Sequence, residues 1–176
     1  METIKLNNGL TCPVIGIGTF MLAPADAQNS VREALKMGYR LIDTANAYVN
    51  ERAVGRGLRE SGVPREEVFL STKLWPSEYE NPDAVDETLT RLGVDYVDLL
   101  YIHQPAGNWP AGYRQLEQAY REGKARPSVS PTSKGSISRS CRQSGRSYRS
   151  SSRWRRIPTS PRTSFASHWT STASGS

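Results

Sequence analysis

The first 126 residues predict a parallel α/β fold. Three observations predict it. Short apolar runs alternate four times with longer stretches of helical periodicity, glycines close those helical stretches, and polar residues end three successive apolar runs. The alternation fits either a (β/α)8 barrel or an open doubly wound sheet.

The elements follow in order. Ile4 to Leu6 and Thr11 to Val14 flank Asn7-Asn8-Gly9, a hairpin turn signal. Val14-Ile15-Gly16-Ile17-Gly18 is a buried-strand candidate, and a helix follows from about Ala25 to Met37, with Val31, Ala34 and Leu35 on one face and Gly38 as its stop. Arg40 to Asp43 is the next strand. Asn50 is a good N-cap for a helix ending near Gly62. Glu67 to Lys73 is the third strand. Asn81-Pro82-Asp83 opens a helix whose apolar face is Val85, Leu89 and Leu92, closed by Gly93. Tyr96 to His103 is the fourth strand, and Gly112 to Glu122 the fourth helix.

Composition narrows the classes. No stretch approaches the roughly 18–20 apolar residues of a membrane span. The N-terminus lacks the basic-then-apolar layout of a secretion signal, so a cytoplasmic protein is the expectation. Cys12 and Cys141, with His103 and His168, match no zinc spacing and no disulfide framework, so no metal site is expected.

Charge is unevenly spread. All 17 acidic residues lie in residues 1–126, beside 14 Lys plus Arg, whereas residues 127–176 carry eight Arg, one Lys and no acid. That last segment holds 17 serines, and Val129, Ile137 and Ile157 are its only branched aliphatics. It cannot bury enough apolar area to offset the entropy of ordering it, which predicts a disordered tail.

Asp43, Lys73 and His103 end three successive predicted strands, and in a parallel α/β fold such ends share one site. Tyr48 lies five residues beyond Asp43, in the loop over that face. Singly, each is more often a solvated or capping residue. Together they suit carbonyl reduction. Negative charge builds on the carbonyl oxygen, and a proton donor beside it speeds the step. A phenol, with an ordinary pKa of about 10, is a weak acid at neutrality, but a neighbouring ammonium stabilises its anion. Asp43 would pair with Lys73 and hold it, and His103 would donate a hydrogen bond to the carbonyl oxygen. No side chain supplies hydride, so a nicotinamide cofactor is implied.

Gly18-Thr19-Phe20, Leu41-Ile42-Asp43-Thr44-Ala45-Asn46-Ala47-Tyr48, Ser71-Thr72-Lys73-Leu74-Trp75 and Asp98-Leu99-Leu100-Tyr101-Ile102-His103 resemble the aldo-keto reductases in order, spacing and context. The resemblance runs from about Ile4 to Arg126. It implies a partial (β/α)8 TIM barrel: an N-terminal β-hairpin plugging the barrel floor, then about four of eight βα units. It implies a catalytic tetrad of Asp43, Tyr48, Lys73 and His103, with Tyr48 as proton donor and His103 positioning a small carbonyl substrate. Thr19 and Asp43 match positions against the nicotinamide of NADPH, with NADH as the alternative. Phe20 and Trp75 match pocket-wall positions, ordinary core packing being their other reading. Gly16 and Gly18 are not a dinucleotide fingerprint, because Met21 stands where the third glycine belongs.

After Arg126 the resemblance breaks. Family members continue Ala-Ile-Gly-Val-Ser-Asn-Phe; this chain reads Pro127-Ser128-Val129-Ser130-Pro131-Thr132-Ser133. Codons for the expected residues, synonymous ones being chosen to fit, give this chain's seven residues when read one base out of frame. The expectation is therefore residues 1–126 as the N-terminal half of a barrel and residues 127–176 as an out-of-frame tail. A complete (β/α)8 barrel needs about 250 residues, and the family's grip on the cofactor's adenosine phosphates comes mainly from its second half. A chain of this kind is expected to show negligible reductase activity. Two other readings compete. Arg139, Arg142, Arg146, Arg149, Arg153, Arg155 and Arg156, with Tyr148 and Trp154, would bind nucleic acid without specificity; or the half-barrel self-associates. Neither a specific nucleic-acid partner nor a membrane is expected, and the sequence leaves the oligomeric state open.

Overall fold

A computed structural model describes residues 2–6 and 9–126. Asn7, Asn8 and residues 127–176 lie outside the described residues, and with them the readings of the tail. Strand β1 (Thr3–Lys5) pairs antiparallel with β2 (Thr11–Pro13), Thr3 opposite Pro13 and Lys5 opposite Thr11. Gly9, at φ 85°, takes the left-handed backbone that the connecting turn requires.

The chain then alternates as expected: β3 (Ile17–Gly18), α1 (Pro24–Lys36), β4 (Leu41–Asp43), α2 (Glu51–Glu60), β5 (Phe69–Leu74), α3 (Ala84–Leu92), β6 (Leu99–Ile102) and α4 (Trp109–Arg121). The four later strands form one sheet in chain order, β3-β4-β5-β6, parallel throughout. A doubly wound sheet reverses its strand order at a switch point, whereas a barrel does not. The sheet therefore resolves the two architectures in favour of barrel units. Beyond α4 the chain returns to the β6 side. Val97 N–H donates to the Lys124 carbonyl at 3.0 Å and Arg126 N–H to the Val97 carbonyl at 2.9 Å, a single parallel bridge at Ala125.

Several boundaries differ from the expected ones, each for a local reason. Residues Arg65–Glu67 form a single 3-10 turn, so β5 begins at Phe69, whose N–H donates to the Arg40 carbonyl at 2.7 Å. Strand β6 begins only at Leu99, because Tyr96 and Asp98 are engaged by Arg65: their carbonyl and carboxylate accept from its guanidinium at 2.9 and 2.7 Å. Asn81 accepts from Asp83 N–H at 3.1 Å in a local turn, which delays α3 to Ala84. Helix α4 starts at Trp109, three residues early, since Pro110 sits in the first turn where its missing N–H is harmless.

The core lies between sheet and helices. Ala27, Val31 and Leu35 from α1, Val54 and Leu58 from α2, and Val85, Leu89 and Leu92 from α3 pack against Ile42, Leu70, Leu74 and Leu100. Helix α2 carries a buried ion pair as well: Glu51, almost wholly enclosed, accepts from Arg91 Nε of α3 at 2.6 Å. Burial outweighs the attraction of Arg91 and holds the Glu51 carboxyl above the ordinary carboxylate range. The native state thus keeps this proton to higher pH than the unfolded chain, so the contribution is complete at low pH and is lost as pH rises. The unfolding free energy of the wild type relative to Glu51→Gln should fall as pH climbs above the ordinary carboxylate range. Urea titrations at a series of pH values measure it, and a pH-independent difference contradicts it.

Candidate active site

The four expected tetrad residues come together at the carboxyl ends of the parallel strands. Asp43 is the last residue of β4 and Lys73 is next to last in β5; His103 follows β6, and Tyr48 sits in a 3-10 turn (Asn46–Tyr48) between β4 and α2. The sheet register explains this. Asp43 is opposite Ser71, and Lys73 is opposite Tyr101. Alternate strand residues share a face, so Ser71 with Lys73, and Tyr101 with His103, present their side chains to the same side.

Lys73 is the centre. Its ammonium donates to Asp43 Oδ2 at 2.6 Å, to the Thr44 carbonyl at 2.8 Å and to Tyr48 Oη at 3.2 Å. An ammonium has three N–H donors, and these three acceptors use them all. Burial alone would lower the Lys73 pKa, but the hydrogen bond and charge of Asp43 prevail and raise it. Lys73 is thus a fixed cation at neutral pH. Asp43 Oδ1 accepts from Ser71 Oγ at 2.9 Å and from Tyr101 Oη at 3.3 Å. Burial, then the charge of Asp43, raises the Tyr101 pKa and keeps that phenol protonated as a donor. Ser71, Thr44 and Tyr101 were not among the expected site residues. For Ser71 and Tyr101 the signal in the sequence was the two-residue spacing to Lys73 and His103; Thr44, which serves through its backbone carbonyl, carried none.

His103 packs edge-on against Tyr48, ring centroids 5.8 Å apart, and against Trp75 at 4.7 Å. Burial, then the charge of Lys73, pushes its pKa down, so the ring is neutral at pH 7. Its Nδ1 is enclosed with no hydrogen-bond partner, which leaves Nε2 as the nitrogen able to meet a ligand. Phe20 lies 5.1 Å from the Tyr48 ring and is 65 % exposed, so ordinary core packing does not describe it. Trp75 is half-buried, and its backbone N–H donates to Asn46 Oδ1 at 2.9 Å.

Thr19 is joined to the Asp43-Thr44 segment. It is fully buried, with Oγ1 donating to Thr44 Oγ1 at 2.9 Å and its N–H to the Asp43 carbonyl at 3.0 Å. Thr19 thereby anchors the Asp43-Thr44 backbone. Asn50 is the N-cap residue of α2, as expected, but its side chain makes no capping bond; its amide donates to the carbonyls of Thr19 at 2.8 Å and Leu22 at 3.1 Å, tying the loop after β3 to the loop of Tyr48. Asn50→Ala leaves a buried and a half-buried carbonyl short of a donor and should destabilise the fold by about 1–3 kcal/mol in a urea titration; an unchanged midpoint contradicts the tie.

Fold and site together define a parallel α/β protein of barrel units with a Tyr-Lys-Asp-His cluster at the strand ends. The chain belongs to the aldo/keto reductase family, which it matches over residues 14–139. That match begins and ends later than the motifs that first suggested it. Similar proteins include the aldehyde reductase of Saccharomyces cerevisiae, 51 % identical over 104 residues, covering 58 % of this chain and 33 % of that protein. The glycerol 2-dehydrogenase (NADP(+)) of the same yeast is 50 % identical over 111 residues, covering 62 % of this chain and 36 % of that one. Among solved structures, an aldo/keto reductase from Brucella melitensis superimposes with a TM-score of 0.68 at 41 % identity, over 71 % of this chain and 50 % of that chain. The chain therefore spans about a third to a half of the length of the relatives it matches. Among the described residues no helix is long and apolar enough to cross a membrane.

Proposed function

We propose that this site reduces aldehydes or ketones to alcohols with a nicotinamide cofactor, NADPH rather than NADH by analogy with the NADP(+)-named relative. The observation that carries the reading is the saturated Lys73. Tyr48 Oη accepts from the ammonium, so its own O–H is left to donate elsewhere. A carbonyl oxygen placed between Tyr48 Oη and His103 Nε2 receives two hydrogen bonds as its negative charge grows. Tyr48 then releases its proton to that oxygen, and Lys73, held by Asp43, stabilises the phenolate left behind. The neutral state of His103 suits an orienting donor rather than an acid.

The nicotinamide end of the cofactor fits the residues present. The Asp43 side chain is 36 % exposed, and its carboxylate is an acceptor for a ribose hydroxyl or a carboxamide beside Tyr48. Once bound, the nicotinamide supplies the hydride, which no side chain can. The phosphate end does not find its partners here. The four strand-end loops, residues 19–23, 44–50, 75–83 and 103–108, contain no Lys and no Arg. On this reading residues 1–126 are the N-terminal half of a barrel and hold the chemistry but not the phosphates, so the 176-residue chain alone should show no NADPH oxidation above background with a generic aldehyde. Measurable turnover refutes that. Joining residues 1–126 to the second half of the Brucella protein supplies the rest of the barrel and tests the site. The hybrid should reduce aldehydes, and Tyr48→Phe should lower kcat by about 10²–10⁴-fold. An equally active Tyr48→Phe hybrid sinks the assignment. Residues 127–176 are read as out-of-frame sequence; the nucleotides around codon 127 test it, and an intact frame with no family-like protein in an adjacent one defeats it.

A further inference from the structure

The helices cover one face of the parallel sheet, where Ile42, Leu70, Leu74 and Leu100 pack. Alternate strand residues share a face, so the opposite face carries Leu41, Phe69 and Leu99 and, nearer the carboxyl ends, Lys73 and Tyr101. Such inward layers of a (β/α)8 barrel are dominated by branched aliphatic residues. A half-buried tyrosine among them brings an oxygen where a leucine would bring none. Tyr101 stands opposite Lys73 in the register of β5 and β6. Its Oη donates to Asp43 Oδ1 at 3.3 Å, the oxygen that also accepts from Ser71 Oγ at 2.9 Å. Lys73 Nζ lies 5.4 Å from the centre of the Tyr101 ring and 4.9 Å from that of Tyr48, within the range of a cation attracted to an aromatic face.

Asp43 needs holding, because its side chain is 36 % exposed. The last torsion of an aspartate is broad, and water competes for both oxygens. Two donors on Oδ1 restrict that torsion and keep Oδ2 turned to Lys73, which it meets at 2.6 Å. The bond from Lys73 to Tyr48 Oη, at 3.2 Å, is the longest of the three the ammonium makes and the first to be lost if it shifts. Burial, then the charge of Asp43, keeps the Tyr101 phenol protonated, so it remains a donor at neutral pH. We propose that Tyr101 is a positioning residue: its hydroxyl, together with that of Ser71, fixes the Asp43 carboxylate so that the Lys73 ammonium stays bonded to the Tyr48 hydroxyl. Tyr101 acts through Asp43 and Lys73, and what this does for catalysis rests on the carbonyl-reducing reading above.

The first measurement is made on the 176-residue chain, without cofactor or turnover. An ammonium whose N–H groups are all engaged exchanges slowly with water and gives its own side-chain signal in proton–nitrogen NMR; Lys73→Met identifies that signal. Tyr101→Phe, which keeps the ring and removes the hydroxyl, should speed the exchange at least about threefold, while the backbone amides of β5 keep their protection. Ser71→Ala, which removes the other donor to the same oxygen, should act in the same direction. Equal exchange in wild type and both variants overturns the proposal, as does the absence of a Lys73 signal in wild type. Equal loss of protection by the β5 amides overturns it too, since Tyr101 would then only support the sheet. Turnover in the barrel hybrid separates this from the reductase reading. There Tyr101→Phe should lower kcat about three- to tenfold with KM for the aldehyde unchanged. A Lys73 signal that depends on Tyr101, beside a hybrid as active with Tyr48→Phe as without it, sinks the proton donor and keeps the positioning. A hybrid that loses kcat with Tyr48→Phe but not with Tyr101→Phe sinks the positioning and keeps the reduction.

Discussion

Gly55→Ala should destabilise the protein by about 3 kcal/mol and lower Tm by roughly 10 °C, although alanine is the better helix former by about 1 kcal/mol. Helix α2 lies between α1 and α3 and uses a glycine toward each. A Cβ on Gly55 would stand 2.6 Å from the carbonyl carbon of Leu92 in α3, and closer still to its oxygen. A Cβ on Gly57 would meet the Gln28 carbonyl of α1, with Val31 Cβ 3.1 Å away. Backbone atoms do not swing aside as a flexible side chain does, so the helices must separate. Separation uncovers Val54, Leu58 and Leu92, which are buried in that contact layer. Gly18→Ala is the control, since nothing lies within 4 Å of its Cβ position and its backbone is not left-handed. Its stability should stay within about 0.5 kcal/mol of wild type in the same thermal and urea measurements. If the two variants unfold alike, close helix approach does not explain Gly55.

Those two glycines mark the limit of what the sequence discloses. Apolar periodicity located α1 and α3, because Val31, Leu35, Val85, Leu89 and Leu92 must face a core, and they do, whereas α2 was located by the Asn50 cap and the Gly62 stop. It could not show that Val54-Gly55-Arg56-Gly57 threads between two helices, since a glycine in a helix reads locally as a weakness. The tetrad positions were legible for a similar reason. Parallel strands that end in polar residues aim them at one place, and Asp43, Lys73 and His103 obey that rule. The supporting residues were not. Thr19 and Asn50 hold two loops together through their side chains, a role that nothing in their spacing announces. Spacing gives the side of a strand that a residue faces; it does not give the partner waiting there.

Asp43→Ala and Lys73→Met should have unequal effects on stability, although both remove the same ion pair. In Asp43→Ala the Lys73 ammonium stays where it is, with only the Thr44 carbonyl and the Tyr48 hydroxyl to accept from it. Breaking a fully buried pair in this way costs about 3–5 kcal/mol. The Asp43 side chain is 36 % exposed, so water replaces part of what is lost, and about 2 kcal/mol is the expected loss. In Lys73→Met the buried charge is gone and an unbranched apolar side chain fills the space. Asp43 keeps Ser71 and Tyr101 as donors and is open to solvent, so the change should stay below about 1 kcal/mol. The double variant should then be more stable than Asp43→Ala alone, because the unpaired cation has been removed. The alkaline limb gives an independent check. The Lys73 pKa is raised in the folded protein, so its contribution is complete below the ordinary lysine range and is lost as pH rises through the folded value. Wild type should therefore lose stability relative to Lys73→Met on going to strongly alkaline pH. If Lys73→Met proves the costlier substitution, or the double variant is the least stable of the three, Lys73 is not an ammonium held in place by Asp43, and the account of Tyr48 as a proton donor loses its support.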